Sequence, residues 1–183
     1  MKNESLLQSV RECKNFSLTR DTFKRMTGLD LWLDSVECDD PHTREALASE
    51  YYQTLITDPD LKSRCETSHQ TMRNEVHDKK VTYSNGISGL THILVPLHHD
   101  GETVGFLRCG GMRDSYRGVL RFMNFSDELR EEGYDEAFLG ELEAAFKKLP
   151  NLHGDDLAEA VEWLLERASD IEKSMESLKT MLK

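Results

Sequence analysis

Apolar positions along the chain follow two different periods. In residues 4–16 (ESLLQSVRECKNF), Leu6, Leu7, Val10 and Cys13 share one helical face. RDTFKRMT at 20–27 continues as a second short helix that Gly28 stops. LDLWLDSV then alternates Leu29, Leu31 and Leu33 with Asp30, Trp32 and Asp34, the period of a half-buried strand. The polar ECDDPHT reads as a loop. Residues 43–56 return to helical spacing through Ala46, Leu47, Tyr51 and Leu55. Asp58-Pro59 supplies the cap and first-turn residue of a helix running to about His77.

The middle of the chain is β-rich. VTYS is a short strand. Residues 90–97 and 102–110 flank Asp100-Gly101, a pair that can take positive φ at both turn positions, so they predict an antiparallel hairpin. Gly105 inside the second run predicts close packing or a bulge, and Gly110-Gly111 ends it. SYRGVLRFMNF reads as a connector or short element, and SDELREE as a helix capped by Ser126. DEAFLGELEAAFKKL carries Phe138, Leu142, Ala145, Phe146 and Leu149 on one face and stops at Pro150. The last helix opens near Asp155. Its Leu157, Val161, Leu164, Ala168, Ile171, Met175, Leu178 and Leu182 are spaced alternately by four and three, a heptad pattern. Trp163 and Leu165 widen the early stripe, which suits packing on the same domain. Beyond Ala168 the stripe narrows to a seam, which predicts a parallel dimeric coiled coil over 168–183.

Composition narrows the function classes. The 183 residues carry a formal charge of -11, with 38% hydrophobic and 31% charged residues, enough apolar side chains for a packed core. Residues 1–125 hold 18 acids and 16 bases, whereas residues 126–183 hold 16 acids and 7 bases. The acidity therefore belongs to the C-terminal helices, and it argues against direct contact with nucleic acid, whose phosphates need clustered Lys and Arg. No apolar run approaches the length of a membrane span, and the N-terminus lacks a signal-peptide pattern. A cytoplasmic setting follows, in which Cys13, Cys38, Cys65 and Cys109 are thiols rather than disulfides.

Candidate chemistry is sparse. Cys65 and His69 stand four apart on a helix, with Met72 nearby, a set that can hold a metal or haem iron. No second Cys/His pair accompanies it, and a buried helix face is the commoner explanation. His98-His99-Asp100 lies at the hairpin tip and reads as a solvated turn. His92 shares a strand face with Leu90, Leu94 and Pro96, opposite Thr91, Ile93, Val95 and Leu97, and is either a cavity-lining or a half-exposed histidine. No phosphate loop, nucleophile elbow or zinc-protease motif is present, and no acid/base or nucleophile constellation is readable, so the sequence predicts no enzyme and no cofactor.

One resemblance joins these pieces. FKRMTGLDLWL, LKSRCETSHQ and SGLTHILVPLHHDGETVGFLRCGG, in that order, resemble the PocR-type sensory domain, a PAS-like ligand-binding module of bacterial regulators. The matching positions are Cys65 in the mid-domain helix, Gly89-Leu90, Val95-Pro96, Asp100-Gly101, Val104-Gly105-Phe106-Leu107 and Gly110. The resemblance covers roughly residues 20–170. Tyr52 and Gly86-Ile87 stand where family members often carry further cysteines and a Cys-His pair, and Gly111 replaces a usual Gln. A metal- or redox-sensing use of that cysteine set is therefore not expected here. The resemblance implies an α+β fold: a PAS-like antiparallel sheet flanked by helices, with a long C-terminal amphipathic helix. The division it suggests is an N-terminal helix over 1–19, a sensory domain over 20–154 and a signalling and dimerisation helix over 155–183.

It also implies a small-molecule sensor for a diol, alcohol or acid, lined by Trp32, Cys65, Tyr83, Leu90, His92, Phe106 and Cys109, with no metal. Face assignment by alternation can slip by one residue and invert part of that set. Ligand occupancy would pass through a coiled-coil homodimer to a transcriptional or signalling output. The alternatives are a ligand-free interaction module and a metal or haem sensor using Cys65, His69 or Cys109.

Overall fold

The N-terminal apolar stripe breaks at Cys13. In a computed structural model, which describes residues 3–36, 49–76, 81–86 and 89–181, helix α1 (Asn3–Glu12) ends there and α2 (Lys14–Thr27) begins. The Cys13 thiol caps α2 by accepting from the Phe16 N–H at 3.4 Å. Gly28 ends α2 as expected. Strand β1 (Leu31–Ser35) follows. Then come α3 (Glu50–Ile56), capped by Ser49, and α4 (Pro59–Glu75), capped by Asp58. The loop expected at 37–43, and residues 43–48 of the expected helix, lie outside the described residues. Strands β2 (Thr82–Asn85), β3 (Leu90–His99) and β4 (Glu102–Arg113) complete one antiparallel sheet in the order β1-β4-β3-β2. The β3–β4 turn is the predicted Asp100-Gly101, with φ of 53° and 81°. Three helices follow: α5 (Ser115–Glu131), α6 (Glu136–Lys147) and α7 (Gly154–Met181). The fold is α+β, an antiparallel sheet flanked by helices with a long C-terminal helix.

The structure differs from the sequence reading at three elements. Gly110-Gly111 does not end β4, because a register shift between Thr91 and His92 absorbs the extra residue and pairing continues to Arg113. SYRGVLRFMNF is no connector, and Ser126 is no cap. Both lie inside the continuous α5, whose buried Phe122, Phe125 and Leu129 keep helical spacing through that point. The turn residues His98, His99 and Asp100 do more than meet solvent. The His98 N–H donates to Glu172 at 2.7 Å, His99 Nδ1 lies 3.0 Å from Glu176, and Lys179 donates to Asp100 at 2.6 Å. These residues recur one helical turn apart on α7, so the hairpin tip clasps that helix.

The seam of α7 lies on the protein's own sheet. Leu164, Ala168, Ile171 and Met175 are buried in the cluster that α1, α2 and the sheet form, with Leu157, Val161 and Leu178 packed against its edge. Trp163 meets Phe23 of α2 at 5.4 Å between ring centroids. The heptad spacing thus serves a sheet through Met175; Leu182 lies outside the described residues.

Candidate functional site

The two faces of the sheet differ in kind. Leu31, Leu33, Ile93, Val95, Leu97, Leu107 and Cys109 point to the α1–α2–α7 side and form an apolar core. The other face carries Trp32, Asp34, His92, Leu94, Phe106 and Arg108 beneath the other helices, and four of these six are polar-tipped yet buried. Strand alternation makes the division along β1 and along Gly105–Cys109 of β4, where odd positions face the core and even positions the other side; beyond the two register shifts Val104 and Met112 return to the core.

Arg108 dominates that face. It is 3% exposed, and its Nε donates to Asp34 Oδ2 at 2.6 Å. Its guanidinium lies 4.5 Å over the ring of Trp32, its cross-strand partner in the register. A buried pair of this kind is held in place by its own desolvation, because separating the charges would leave each uncompensated. Tyr52 of α3 stacks on His69 of α4 with centroids 5.8 Å apart and planes 5° from parallel. His69 in turn meets His92 of β3 edge-on at 5.9 Å. Gly110 makes room for that imidazole: a Cβ there would stand 2.5 Å from His92 Nδ1.

Two cavities flank this arrangement. The larger, of about 130 Å³, is lined by Trp32, Tyr52, Leu90 and Gly110, with the ion pairs Lys24–Asp30 (2.6 Å) and Lys148–Glu50 (2.7 Å) at its rim. The smaller, of about 10 Å³, lies among Asp34, His69, Met72, Arg73, Phe106 and Arg108, and has room for about one water. The Trp32–Arg108 and Tyr52–His69 contacts link the two, since each contact has one member on either cavity.

The expected lining residues fall in different places. Trp32, Leu90, His92 and Phe106 share the polar face. Cys65 lies on α4 in the apolar cluster with Tyr52 and Leu90, beside this face. Cys109 faces the opposite way, into the α1–α2–α7 core, where burial pushes its thiol up to about 12 and keeps it protonated. Tyr83 is half exposed on β2 opposite Ile93, and partial burial raises its hydroxyl above the usual value. Sequence reasoning passed over Asp34, Tyr52, Arg73 and Arg108. Parity held a usable signal: a lone arginine within an apolar strand, two residues from Phe106, shares the face of Phe106.

Among the described residues, the His/Cys/Asp/Glu groups close enough to share a cation come to one, His99, Asp100 and Glu176 at the hairpin clasp, where Lys179 already meets Asp100. No described helix is long and apolar enough to cross a membrane.

A family model described as the sensory domain found in PocR matches residues 15–176. The chain belongs to the PocR sensory-domain family. No curated protein and no solved structure matches it. The PocR match runs from α2 into the last turns of α7, so it takes in both faces of the sheet and the helices that cover each. The family is a sensory one, and in this PocR domain the polar, cavity-bearing face is where the buried hydrogen-bonding groups gather.

Proposed function

We propose that this domain senses a small organic molecule on the polar face of the sheet, between β1–β4–β3 and helices α3 and α4. One observation carries the reading: in a sensory-family chain, Trp32, Asp34, Tyr52, His69, His92 and Arg108 are buried together around two cavities. An ordinary core would be filled with Leu, Ile and Val, as the opposite face is. Directed donors and acceptors beside aromatic walls suit a ligand of a few heavy atoms with at least one polar group: a diol, an alcohol or a small acid. Trp32, Leu90, His92 and Phe106 remain in the proposed lining, joined by Asp34, Tyr52, His69 and Arg108. Buried thiols at Cys65 and Cys109 fit a reducing, cytoplasmic setting.

Transmission to an output runs through the sheet to α7. Arg108 sits between Leu107 and Cys109, which pack in the core beneath α7. A ligand that draws on Arg108 or His92 therefore acts on strands to which α7 is docked. The signal is a population shift in that docking, and it requires unequal affinity for the two arrangements. A coiled-coil dimer through α7 would need its seam to leave the sheet first.

The test uses the two tryptophans. Trp163→Phe leaves Trp32 as the sole tryptophan, excited selectively above the tyrosine absorption band. Titration with small diols, alcohols and carboxylic acids is expected to shift Trp32 emission and raise the melting temperature for one class. The same titration on Arg108→Met is expected to show neither. A panel with no response in any class, or a response that Arg108→Met leaves intact, would overturn the reading.

A further inference from the structure

The turn between β3 and β4 holds a buried imidazole among surface carboxylates. The His99 side chain is 6% exposed, yet it stands between Asp100 of the turn and Glu176 of α7, which are 60% and 59% exposed. Its Nε2 lies 3.8 Å from Asp100 Oδ2 and its Nδ1 lies 3.0 Å from Glu176 Oε1. The shorter contact is not a hydrogen bond, because the buried Nδ1 is not aimed at that oxygen and has no other hydrogen-bond partner. A buried ring nitrogen in this position is costly unless something else meets it.

The spacing is that of ligands on one ion. One donor atom from each of His99, Asp100 and Glu176 lies within 4.8 Å of the other two. Two cis ligands held about 2.1 Å from a metal stand about 3 Å apart, and that is the His99–Glu176 separation. An imidazole with two carboxylates is the donor set of a borderline divalent ion such as Zn²⁺, and the exposed carboxylates leave room for water at the remaining positions. Charge points the same way. Lys179 places its ammonium on both oxygens of Asp100, and the Glu176 carboxylate acts on it too. This pair of acids already holds a cation, and Lys179 supplies it.

We propose that His99, Asp100 and Glu176 form a binding site for a divalent transition metal, taken up in exchange for the Lys179 ammonium on Asp100. The hairpin tip supplies two of the ligands and α7 the third, so the ion ties the tip to the last turns of that helix. The exchange requires only that Lys179, whose side chain is 31% exposed, swing out to solvent. None of the three ligands lines either cavity of the polar face, so the site does not depend on ligand binding there.

The experiment is a titration of the full, chelator-stripped chain with Zn²⁺, read by competition with a chromogenic chelator and by hydrogen exchange. Wild type is expected to bind Zn²⁺ with exchange slowed in residues 98–102 and 172–180 together. Glu176→Gln, at the surface, is expected to keep its melting temperature and to weaken binding about tenfold or more, and His99→Asn to weaken it likewise. Lys179→Met is expected to tighten binding about fivefold, since the competing ammonium is gone. Glu159→Gln, at an exposed acid elsewhere on α7, is expected to change nothing. Several outcomes would each overturn the proposal. They are no Zn²⁺ binding by on the order of 100 micromolar, exchange that slows in neither segment, an affinity that Glu176→Gln leaves intact, and a Lys179→Met variant that binds no more tightly than wild type.

Discussion

Asp34 and Arg108 show how much a single buried pair can decide. Each charge is tolerated because the other is 2.6 Å away. Asp34→Ala or Arg108→Met alone is therefore expected to cost about 3–5 kcal/mol, since either leaves one buried charge without its counterpart. Asp34→Leu together with Arg108→Met removes both and is expected to cost much less than the two singles added. Urea denaturation of the three variants checks this, and a double variant as unstable as that sum would refute it. Gly105, flagged in the sequence as a site of close packing, has a definite neighbour: a Cβ there would lie 2.5 Å from the Asp34 carbonyl oxygen. Gly105→Ala is expected to cost about 1–3 kcal/mol by forcing β1 away from β4, read in the same denaturation series. Period two correctly grouped His92 with Leu90 and Leu94. Applied to β4, the same rule separates Phe106 from Cys109, because 106 and 109 differ by an odd number. Arg108 was hidden for a different reason: charge reads as exposure in sequence, and only the facing Asp34, 74 residues away, makes its burial possible.

Caps and turns were the most legible elements, because each depends on two or three adjacent residues. Asp58 accepts from the Asp60 and Leu61 N–H groups at 2.9 and 3.0 Å, and the Tyr134 hydroxyl also donates to it. The Leu61 bond, reinforced by Tyr134, holds the Asp58 carboxyl below its usual range. The unfolded chain then takes up that proton at higher pH than the folded one. The stabilisation is complete above the unfolded value and is lost as pH falls through the folded value. Asp58→Ala is expected to cost about 1 kcal/mol at neutral pH, with the gap to wild type narrowing below about pH 4. A constant gap from neutral to acid pH, followed by denaturation at each pH, would contradict this. Helix α7 was legible as a helix but not in what it packs on, because a heptad seam has the same sequence whether a helix or a sheet receives it. Met175 is fully buried whereas the Lys179–Asp100 pair lies at the surface. Met175→Asp is expected to expose the last turns of α7 to protease, whereas Lys179→Ala is expected to cost no more than about 1 kcal/mol. Equal cleavage of the two variants would mean that the clasp, and not the apolar seam, holds the helix. The merging of SYRGVLRFMNF and SDELREE into one α5 went unread because Gly118 and the polar Asn124 and Ser126 interrupt a stripe whose completion depends on α3 and α6.

At the scale of the whole molecule, the sheet is the layer that the proposed site and the helix α7 share among the described residues. One face collects the buried polar groups and the other is apolar and carries α1, α2 and α7. The acidic excess of residues 126–183 lies largely on exposed positions of α5–α7, while the apolar positions of those helices are turned inward, apart from Tyr116, Val119, Leu120 and Met123 of α5. Net charge therefore shapes the surface and leaves the site to be set by one local pair. A sensor built this way makes a prediction that separates binding from signalling. Hydrogen exchange should change on ligand addition in two places: it should slow in α4, which carries His69, Met72 and Arg73 beside Arg108, and shift in α7, which packs on the opposite, apolar face. Slowing in α4 is simple linkage, since any molecule bound only to the closed form suppresses its opening. Slowing or quickening in α7 requires strand movement to cross the sheet, so it reports the coupling itself. Arg108→Met should abolish both responses. Leu107→Ala, on the α7 side of the same strand, should leave the α4 response in place and diminish that of α7. If a ligand protects α4 while α7 exchanges as before, the face binds without signalling through this helix, and the output must leave the domain by another surface.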